Sequence, residues 1–212
     1  MVMIESLEHG FSYEEFDYQT LLNFLKNYSR PRDKISNLIR KGVIIRVKKG
    51  LYVLGERYRK RPYSKELLAN LIYGPSYISL EYALHYYGMI PERTFAVTSV
   101  TTGRSKRFMT PLGLFIYRSI PLSAYRFSVT RIKIDDEKAF LMATPEKAIC
   151  DKIREDRGIK LRSLKDMREY LTESLRIDIA GLKILNPVQL AEIARRYRSG
   201  KLKLFYKFIT RI

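Results

Sequence analysis

The side chains that could perform acid–base chemistry are few and scattered along this chain of 212 residues. His85 follows Glu81 by four residues, so one turn of a predicted helix would bring the carboxylate and the imidazole together. No third partner accompanies this pair, and a packing or surface role for His85 is therefore favoured. The second histidine, His9, lies in an acidic N-terminal stretch. We assign no catalytic residue and expect that the protein is not an enzyme.

Metal-binding and thiol chemistry have as little support in the sequence as acid–base catalysis. Cys150 is the single cysteine, and with two isolated histidines it offers neither a disulfide nor the ligand spacing of a metal site. We expect Cys150, within the segment EKAICDKI, to be a small buried residue. The acidic group at residues 135–137 is typical of a polar turn. Because the sequence also lacks a glycine-rich phosphate loop, we expect no metal and no cofactor.

The chemistry that the sequence favours is the binding of polyanions. Its 40 lysines and arginines outnumber 22 acidic residues and give a formal net charge of +18. Residues 26–62 alone contain thirteen lysines and arginines against two acidic residues, Asp33 and Glu56. So dense a basic stretch is typical of a nucleic-acid-binding surface. A merely solvated face and contact with an acidic membrane surface are the alternatives.

The sequence favours a location in the cytoplasm. It contains no apolar run of about 18 residues that could span a bilayer. Its N-terminus, MVMIESLEHG, lacks the basic start and the apolar stretch of a signal peptide. We therefore expect a cytoplasmic protein that has no membrane partner.

Two helices and a hairpin are predicted to position the basic stretch. Asp17 is a suitable N-cap for a helix over residues 18–28, in which apolar residues recur at helical spacing. Pro31 suits the first turn of a second helix, and Gly42 ends that helix. Residues 43–54 then alternate apolar and basic side chains around a Lys-Gly turn, as in a β-hairpin. This order of elements indicates a winged helix-turn-helix.

The second of these helices is the predicted recognition helix. Such a helix buries one side on its own domain and turns the other toward the major groove, so cations beside an apolar stripe suit it. The side chains expected to pair with base edges are Arg32, Ser36, Asn37 and Arg40. The side chains expected at phosphates are Arg30, Lys34, Lys41, Arg46, Lys48 and Lys49.

Beyond residue 62 the composition changes to that of an α+β domain with its sheet in the middle. Helices are predicted at residues 65–73, 81–87, 145–153 and over most of 163–212. Strands are predicted at residues 94–101, 106–110, 114–120 and 127–134. We therefore expect a winged helix-turn-helix DNA-binding domain with a basic linker over residues 1–62. The domain expected over residues 63–212 is mixed α/β, with a central antiparallel-rich sheet and terminal helices. The basic linker either follows a phosphate backbone or simply tethers the two domains.

Four segments of the chain carry a family resemblance. The first is SRPRDKISNLIRKGVIIRVKKGLYVL, at residues 29–54. The second is GPSYISLEYALHYYGMIPERTFAVTSVTTGRSKRFMTPLGLFIYRSIP, at residues 74–121. The others are MATPEKAICDKI, at residues 142–153, and LRIDIAGLKILNPVQLAEIARRYRSGKL, at residues 175–202. Taken in this order, they resemble the AbiEi-type antitoxins of bacterial and archaeal type IV toxin–antitoxin systems over essentially the whole chain.

The resemblance implies a two-part protein of the abortive infection type. Its N-terminal winged helix would bind inverted repeats in the promoter of its own operon, with cooperative or dimeric binding, and repress transcription. Its C-terminal domain would be the antitoxin against a nucleotidyltransferase-like toxin from the adjacent gene, without a stable complex between them. The candidate functional face of that domain, taken from the second segment, is Ser79, Glu81, Arg93, Thr98, Ser99, Thr101, Thr102, Arg104, Arg107 and Arg118.

One feature departs from the family pattern, and one other function competes. An acidic lead-in at residues 5–17 stands where the pattern has a helix of the winged domain. The competing hypothesis is an enzyme that modifies nucleotides or RNA and gathers its substrate on the basic surface.

Overall fold

The computed structural model describes residues 14–212, so the predictions for His9 and the first acidic residues lie outside the described range. The first part of the described chain combines two helices with a three-stranded antiparallel sheet in the order β1-β3-β2. These elements are β1 (Glu15–Asp17), α1 (Tyr18–Phe24), α2 (Pro31–Arg40), β2 (Ile44–Lys48) and β3 (Leu51–Leu54).

Local signals in the sequence set most of these boundaries. The Asp17 carboxylate accepts a hydrogen bond of 2.7 Å from the Thr20 amide and caps α1, which confirms the predicted N-cap. Helix α2 begins at Pro31, and Gly42 follows it with a left-handed φ of +68°, as predicted. Helix α1 is shorter than predicted. Strand β1 was not predicted, because it forms only by pairing with the distant β3.

The second part is a six-stranded mixed sheet with helices, which confirms the predicted α+β class. Its strands are β4 (Ser76–Ile78), β5 (Ala96–Thr101), β6 (Lys106–Thr110), β7 (Gly113–Ser119), β8 (Val129–Lys133) and β9 (Ala139–Ala143). The strand order is β6-β7-β5-β4-β9-β8, in which β5 with β7 and β4 with β9 are parallel and the other neighbours are antiparallel. Strands β4 and β9 were not predicted, although they lie inside the sheet.

The helices of this part pack against the sheet and against one another, and several of them form the end of the chain. They are α3 (Lys65–Ile72), α4 (Leu80–Tyr86), α5 (Leu122–Tyr125), α6 (Pro145–Glu155), α7 (Leu164–Glu169), α8 (Ile179–Lys183), α9 (Pro187–Tyr197) and α10 (Gly200–Ile209). A π-helical turn, Tyr170–Ser174, follows α7. Within residues 14–212, none of the helices is long and apolar enough to cross a lipid bilayer.

Two apolar clusters form the interior, and the hairpin belongs to both. The smaller cluster packs α1 and α2 against one side of β2 and β3, where it includes Tyr52 and Leu54. The larger cluster fills the second part and also takes in Val47, Leu51 and Val53 from the hairpin. Because successive side chains of a strand point to opposite faces, β3 is buried on both sides and connects the two clusters. The domain boundary after residue 62 stays a prediction.

Two glycines set the path from α2 into the hairpin. The Gly55 amide donates a hydrogen bond of 2.8 Å to the Val43 carbonyl. A Cβ atom on Gly55 would lie 1.9 Å from the Gly42 carbonyl oxygen, which is closer than any side chain can approach. The end of β3 therefore lies directly against the end of α2, and only glycine permits this contact.

A buried polar network holds the second part together. The Lys147 ammonium forms a salt bridge with Asp151 one turn later on α6, and both side chains are inaccessible to solvent. Asp151 also accepts hydrogen bonds from Ser79 (2.7 Å), Tyr77 (3.2 Å) and Tyr197 (2.5 Å). Burial and the negative charge of Asp151 raise the pKa of Tyr77 well above its usual value. The network thus connects β4, α6 and α9 through one carboxylate.

We expect Asp151→Asn to lower the free energy of unfolding by about 3–5 kcal/mol, because it leaves the Lys147 charge buried without a counter-charge. Urea unfolding followed by far-UV circular dichroism measures this change. Lys165→Ala is the control, because its partner Glu169 lies 3.8 Å away and both side chains are exposed. Lys165→Ala should lower the free energy of unfolding by less than about 0.5 kcal/mol. Equal urea midpoints for Asp151→Asn and the wild type would contradict the prediction.

Candidate nucleic-acid interface

Helix α2 presents a polar stripe on the side opposite its buried residues. Ile35 and Leu38 are buried in the smaller cluster. Arg32, Ser36 and Arg40 are exposed and recur at intervals of four residues, which places them on one face of the helix. These three predicted base-contacting residues therefore lie together, as the sequence pattern implied.

Local hydrogen bonds order this stripe. The Ser36 hydroxyl donates to the Arg32 carbonyl (3.1 Å), and the Arg40 guanidinium donates to the Asn37 side-chain oxygen (3.4 Å). Asn37 is half-buried, unlike the other three residues that are predicted to contact base edges. Lys34 is half-buried as well, with its ammonium 4.9 Å from the centre of the Tyr28 ring.

The beginning of α2 also borders a shallow depression of about 410 Å³. Tyr18 and Leu22 of α1 form its apolar wall, and Arg30 and Arg32 lie at its edge with Asp33. The depression thus combines apolar surface with two guanidinium groups at the N-terminal end of the predicted recognition helix. In helix-turn-helix proteins, this end of the recognition helix contacts base edges.

Most of the predicted contact residues carry uncompensated charge. Within residues 14–212, no carboxylate forms a salt bridge with Arg30, Arg32, Lys34, Arg40, Lys41, Arg46 or Lys49. The acidic residue of α2, Asp33, lies in the first turn, where it suits the helix dipole. Free cations on an exposed face are what a phosphate backbone requires.

The hairpin separates its basic residues onto two sides. Arg46 is exposed and pairs with Tyr52, so it faces the side that carries α1 and α2. A bulge between Arg46 and Lys48 then shifts the register, and Lys48 pairs with Leu51 on the opposite side. Lys49 lies exposed at the turn itself. The expected alternation of apolar and basic residues is therefore broken at its last position.

Lys48 is engaged inside the protein, and its prediction as a phosphate contact needs correction. Its ammonium donates a hydrogen bond to the carbonyl of Ile72 at the end of α3. Burial and the nearby charge of Lys106 lower the pKa of Lys48. Lys48 therefore connects the hairpin to the second part of the chain, whereas its neighbour Lys49 remains available to solvent.

The basic linker is fixed along much of its length. Glu14 accepts hydrogen bonds from the amides of Lys60 (3.1 Å) and Arg61 (3.3 Å). The Arg61 guanidinium lies 2.9 Å from Asp135. Arg59 lies over the Tyr63 ring, 5.0 Å from its centre. These contacts favour the interpretation as a tether over that of a segment which follows a phosphate backbone.

Two acidic residues that the sequence analysis did not single out form part of this tether. Glu15 accepts a hydrogen bond from the Ser64 amide (3.1 Å) and forms a salt bridge of 2.7 Å with Lys138. Glu14 and Glu15 are both buried. The end of the acidic lead-in is therefore structural, and only the burial of the carboxylates, which a sequence does not display, reveals this.

The structure brings together only some of the residues predicted as a functional face of the C-terminal domain: Glu81, Thr98 and Arg118 line one cleft of about 560 Å³. Ser79, Thr98, Ser99 and Thr101 are buried. Thr98 donates a hydrogen bond to the Ser79 carbonyl (2.8 Å), and Thr101 donates one to the Pro75 carbonyl (2.8 Å). The burial of these four residues does not fit the predicted functional face, because their side chains lie in the interior, where those of Thr98 and Thr101 connect neighbouring segments.

Two charged members of that predicted face, Glu81 and Arg118, line this cleft with ion-pair partners of their own, and the other charged members lie outside it. Glu81 pairs with Lys152 (2.8 Å), and Arg118 pairs with Glu155 (3.2 Å). Arg93 and Arg104 are exposed but lie before and after β5, at its opposite ends, and Arg107 is exposed on the edge strand β6. Thr102 is half-buried. The candidate acid–base pair is not formed either, since the Glu81 carboxylate is bound to Lys152 rather than to His85.

Other predictions for single residues are confirmed. Cys150 is buried, and burial raises its pKa above the usual thiol value. The acidic group at residues 135–137 is a turn, in which the Asp135 carboxylate accepts hydrogen bonds from the amides of Glu137 (3.0 Å) and Lys138 (2.7 Å).

Comparison with known proteins adds nothing to this geometry: no family matches the chain, and no curated protein matches it either.

We expect Lys48→Met to lower the free energy of unfolding by about 1 kcal/mol, because the variant keeps the apolar stem but loses the hydrogen bond to Ile72. Lys49→Met is the matched control, since it removes an exposed charge from the adjacent position. Thermal unfolding of both variants should show a lower midpoint for Lys48→Met alone. A wild-type midpoint for Lys48→Met would contradict its structural role.

Proposed function

We propose that this chain is a winged helix-turn-helix DNA-binding protein that represses its own operon and acts as the antitoxin of a type IV toxin–antitoxin pair. The observation that carries the DNA-binding part is the exposed stripe of α2. Arg32, Ser36 and Arg40 lie on it at intervals of one helical turn, opposite the buried Ile35 and Leu38. A helix of this kind suits the major groove, in which arginine pairs with guanine in a bidentate manner.

The hairpin supports this proposal as a wing. Arg46 faces the side of the sheet that carries α2, and Lys49 occupies the tip of the turn beside Gly50. Both cations are exposed and form no salt bridge within the described residues. In the proposed complex, α2 lies in the major groove, and Arg46 and Lys49 contact the phosphates beside it. Lys48 is no longer among the proposed contacts.

The operator is proposed to contain two related half-sites. A single helix-turn-helix reads only a few base pairs, so such proteins gain specificity when two copies bind a palindrome with two-fold symmetry. Cooperative or dimeric binding of this chain to inverted repeats is therefore part of the proposal.

The antitoxin role is supported by the resemblance of the four sequence segments alone. The proposed toxin is a nucleotidyltransferase-like protein encoded by the adjacent gene, which this chain opposes without a stable complex. The competing hypothesis of a nucleotide- or RNA-modifying enzyme has less support, because the one candidate acid–base pair is not assembled.

Binding to the DNA upstream of the chain's own coding sequence tests the proposal. Fluorescence anisotropy should show an affinity that falls steeply between about 50 and 200 mM salt, as counterion release requires. We expect Arg32→Ala and Arg40→Ala each to weaken binding by about 1–3 kcal/mol, because each variant removes a base contact. Arg168→Ala removes an exposed arginine from the last turn of α7 and should bind like the wild type. Wild-type affinity in both α2 variants would overturn the assignment of the recognition helix.

The adjacent pair of lysines separates a DNA contact from a structural one. We expect Lys49→Met to lower the affinity for operator DNA and to reduce the salt slope by about one, because one phosphate contact is lost. Lys48→Met should keep the wild-type affinity and salt slope, since the ammonium of Lys48 is bound to the Ile72 carbonyl in the wild type. The same anisotropy titration measures both variants. A larger loss of affinity in Lys48→Met than in Lys49→Met would contradict the placement of the wing.

Co-expression of the full chain with the adjacent gene tests the antitoxin role. We expect the wild type to restore growth that the toxin arrests. Arg32→Ala with Arg40→Ala, expressed from an unrelated promoter, should also restore growth, because these residues serve DNA binding. The full chain is used because the hairpin packs into the core of the second part. Failure of the wild type to restore growth would remove the antitoxin role and leave DNA binding untouched.

A further inference from the structure

A second cationic site lies outside the proposed DNA interface. It is a cleft of about 360 Å³ between the first turn of α3, one face of α4 and the segment that leads into β5. The residues that matter for its chemistry are Lys65, His85, Tyr86, Arg93, Thr94 and Phe95. None of the residues that line this cleft is acidic.

The acidic residues that neighbour the cleft residues in sequence all have polar partners. Glu66 accepts hydrogen bonds from the hydroxyls of Ser64 (2.8 Å) and Tyr82. Glu92 pairs with Arg176, and Glu81 pairs with Lys152. Within residues 14–212, neither Lys65 nor Arg93 forms a salt bridge, and both are exposed. Their charge is therefore available to an anionic ligand.

Two aromatic rings are exposed at the same cleft. Phe95 is 96% exposed, which is unusual for a phenylalanine that directly precedes a central strand. Tyr86 is 48% exposed and has its ring held by edge contacts with Tyr87 and Phe140, at centroid distances of 5.5 and 6.3 Å. A flat ligand that covers the Phe95 ring would remove this apolar surface from water.

The wall of the cleft also contains an unused polar group. The hydroxyl oxygen of Thr94 is buried and has no hydrogen-bond partner within residues 14–212. Buried hydroxyls normally have a partner, and a phosphate or ribose oxygen is an acceptor of the kind that this one lacks.

We propose that this cleft binds a nucleotide. Its base stacks on Phe95 beside Tyr86, and its phosphate is bound by Arg93 and Lys65, with Thr94 and His85 at the wall. The nucleotide is either a free one or part of a single strand, since both offer the same base and phosphate. This site shares no residue with the proposed duplex interface. A test of one proposal therefore leaves the other unaffected.

The neighbouring cleft on the other side of Phe95 provides a contrast. It is larger, at about 560 Å³, but it is lined by Glu81, Glu155 and Asp156 against Arg118 and Arg157. All three carboxylates are paired with cations, and one of the two arginines is already bound to Glu155, so this cleft offers less free positive charge to a phosphate. The charges therefore select the Arg93 side of Phe95 for an anion.

Isothermal titration calorimetry of the full chain with ATP, AMP, inorganic phosphate and a single-stranded decathymidylate tests the proposal. We expect ATP or the decathymidylate to bind, and inorganic phosphate to bind at least ten-fold more weakly because it cannot stack. Tighter binding of ATP identifies a free nucleotide as the ligand, and tighter binding of the decathymidylate identifies a single strand. No binding of either at millimolar concentration would overturn the proposal.

Single-residue variants distinguish specific binding of a nucleotide in the cleft from nonspecific attraction of an anion to a basic protein. Phe95→Ala should weaken nucleotide binding by about ten-fold, whereas Phe95→Trp should retain it. Arg93→Gln should weaken the binding of ATP more than that of AMP, because it removes a phosphate contact. Met109→Ala and Arg131→Ala are controls, since they alter an exposed apolar and an exposed basic residue elsewhere. An equal loss of nucleotide affinity in the two controls would refute the site, as would wild-type affinity in Phe95→Ala. The affinity for duplex DNA should stay unchanged in all of these variants.

Discussion

The arrangement of this protein depends on one strand that is buried on both faces. Strand β3 (Leu51–Leu54) directs Tyr52 and Leu54 toward α1 and α2 and Leu51 and Val53 toward the core of the second part. A strand that packs on both sides cannot rotate without loss of contacts in both clusters. The orientation of the helix pair relative to the six-stranded sheet is therefore set by apolar packing, and polar contacts only secure its edges.

Those polar contacts explain why some cations are available for ligands and others are not. Lys48 and Arg61 bind Ile72 and Asp135 and fix the hairpin and the linker to the second part. Lys49, one residue from Lys48, has no such partner in the described chain. The cations of the basic stretch thus fall into two groups. Those bound to carbonyls or carboxylates stabilise the fold, and those exposed on the hairpin and α2 keep a free charge that would attract a polyanion.

The sequence could predict what local chemistry decides. Asp17, Pro31 and Gly42 each act within one turn of helix, and the boundaries that they mark are close to those observed. The position of Lys48 could not be predicted, because a bulge shifts it to the other side of the strand and alternation shows no sign of a bulge. Strand β4 has only three residues and exists through its partners β5 and β9.

The candidate site was predictable to a similar degree. Helical periodicity placed Arg32, Ser36 and Arg40 on one face, because 3.6 residues per turn is a local rule. Ser79 and Ser99 were grouped with exposed arginines because they share the second resembling segment, and a shared segment does not reveal which side chains are buried. The exposure of Phe95 could not be predicted, because an aromatic residue within the predicted strand 94–101 normally indicates a core position.

The buried network around Asp151 connects parts of the chain that lie far apart in sequence. Tyr77 and Ser79 contribute to it from the region of β4, Lys147 and Asp151 from α6, and Tyr197 from α9. A fully enclosed set of polar groups has little tolerance for substitution, since each unpaired member would be costly. Such residues specify an architecture and cannot touch a ligand. Residues of the second part that bind a ligand must therefore be sought on its surface, where Arg93 and Phe95 are exposed.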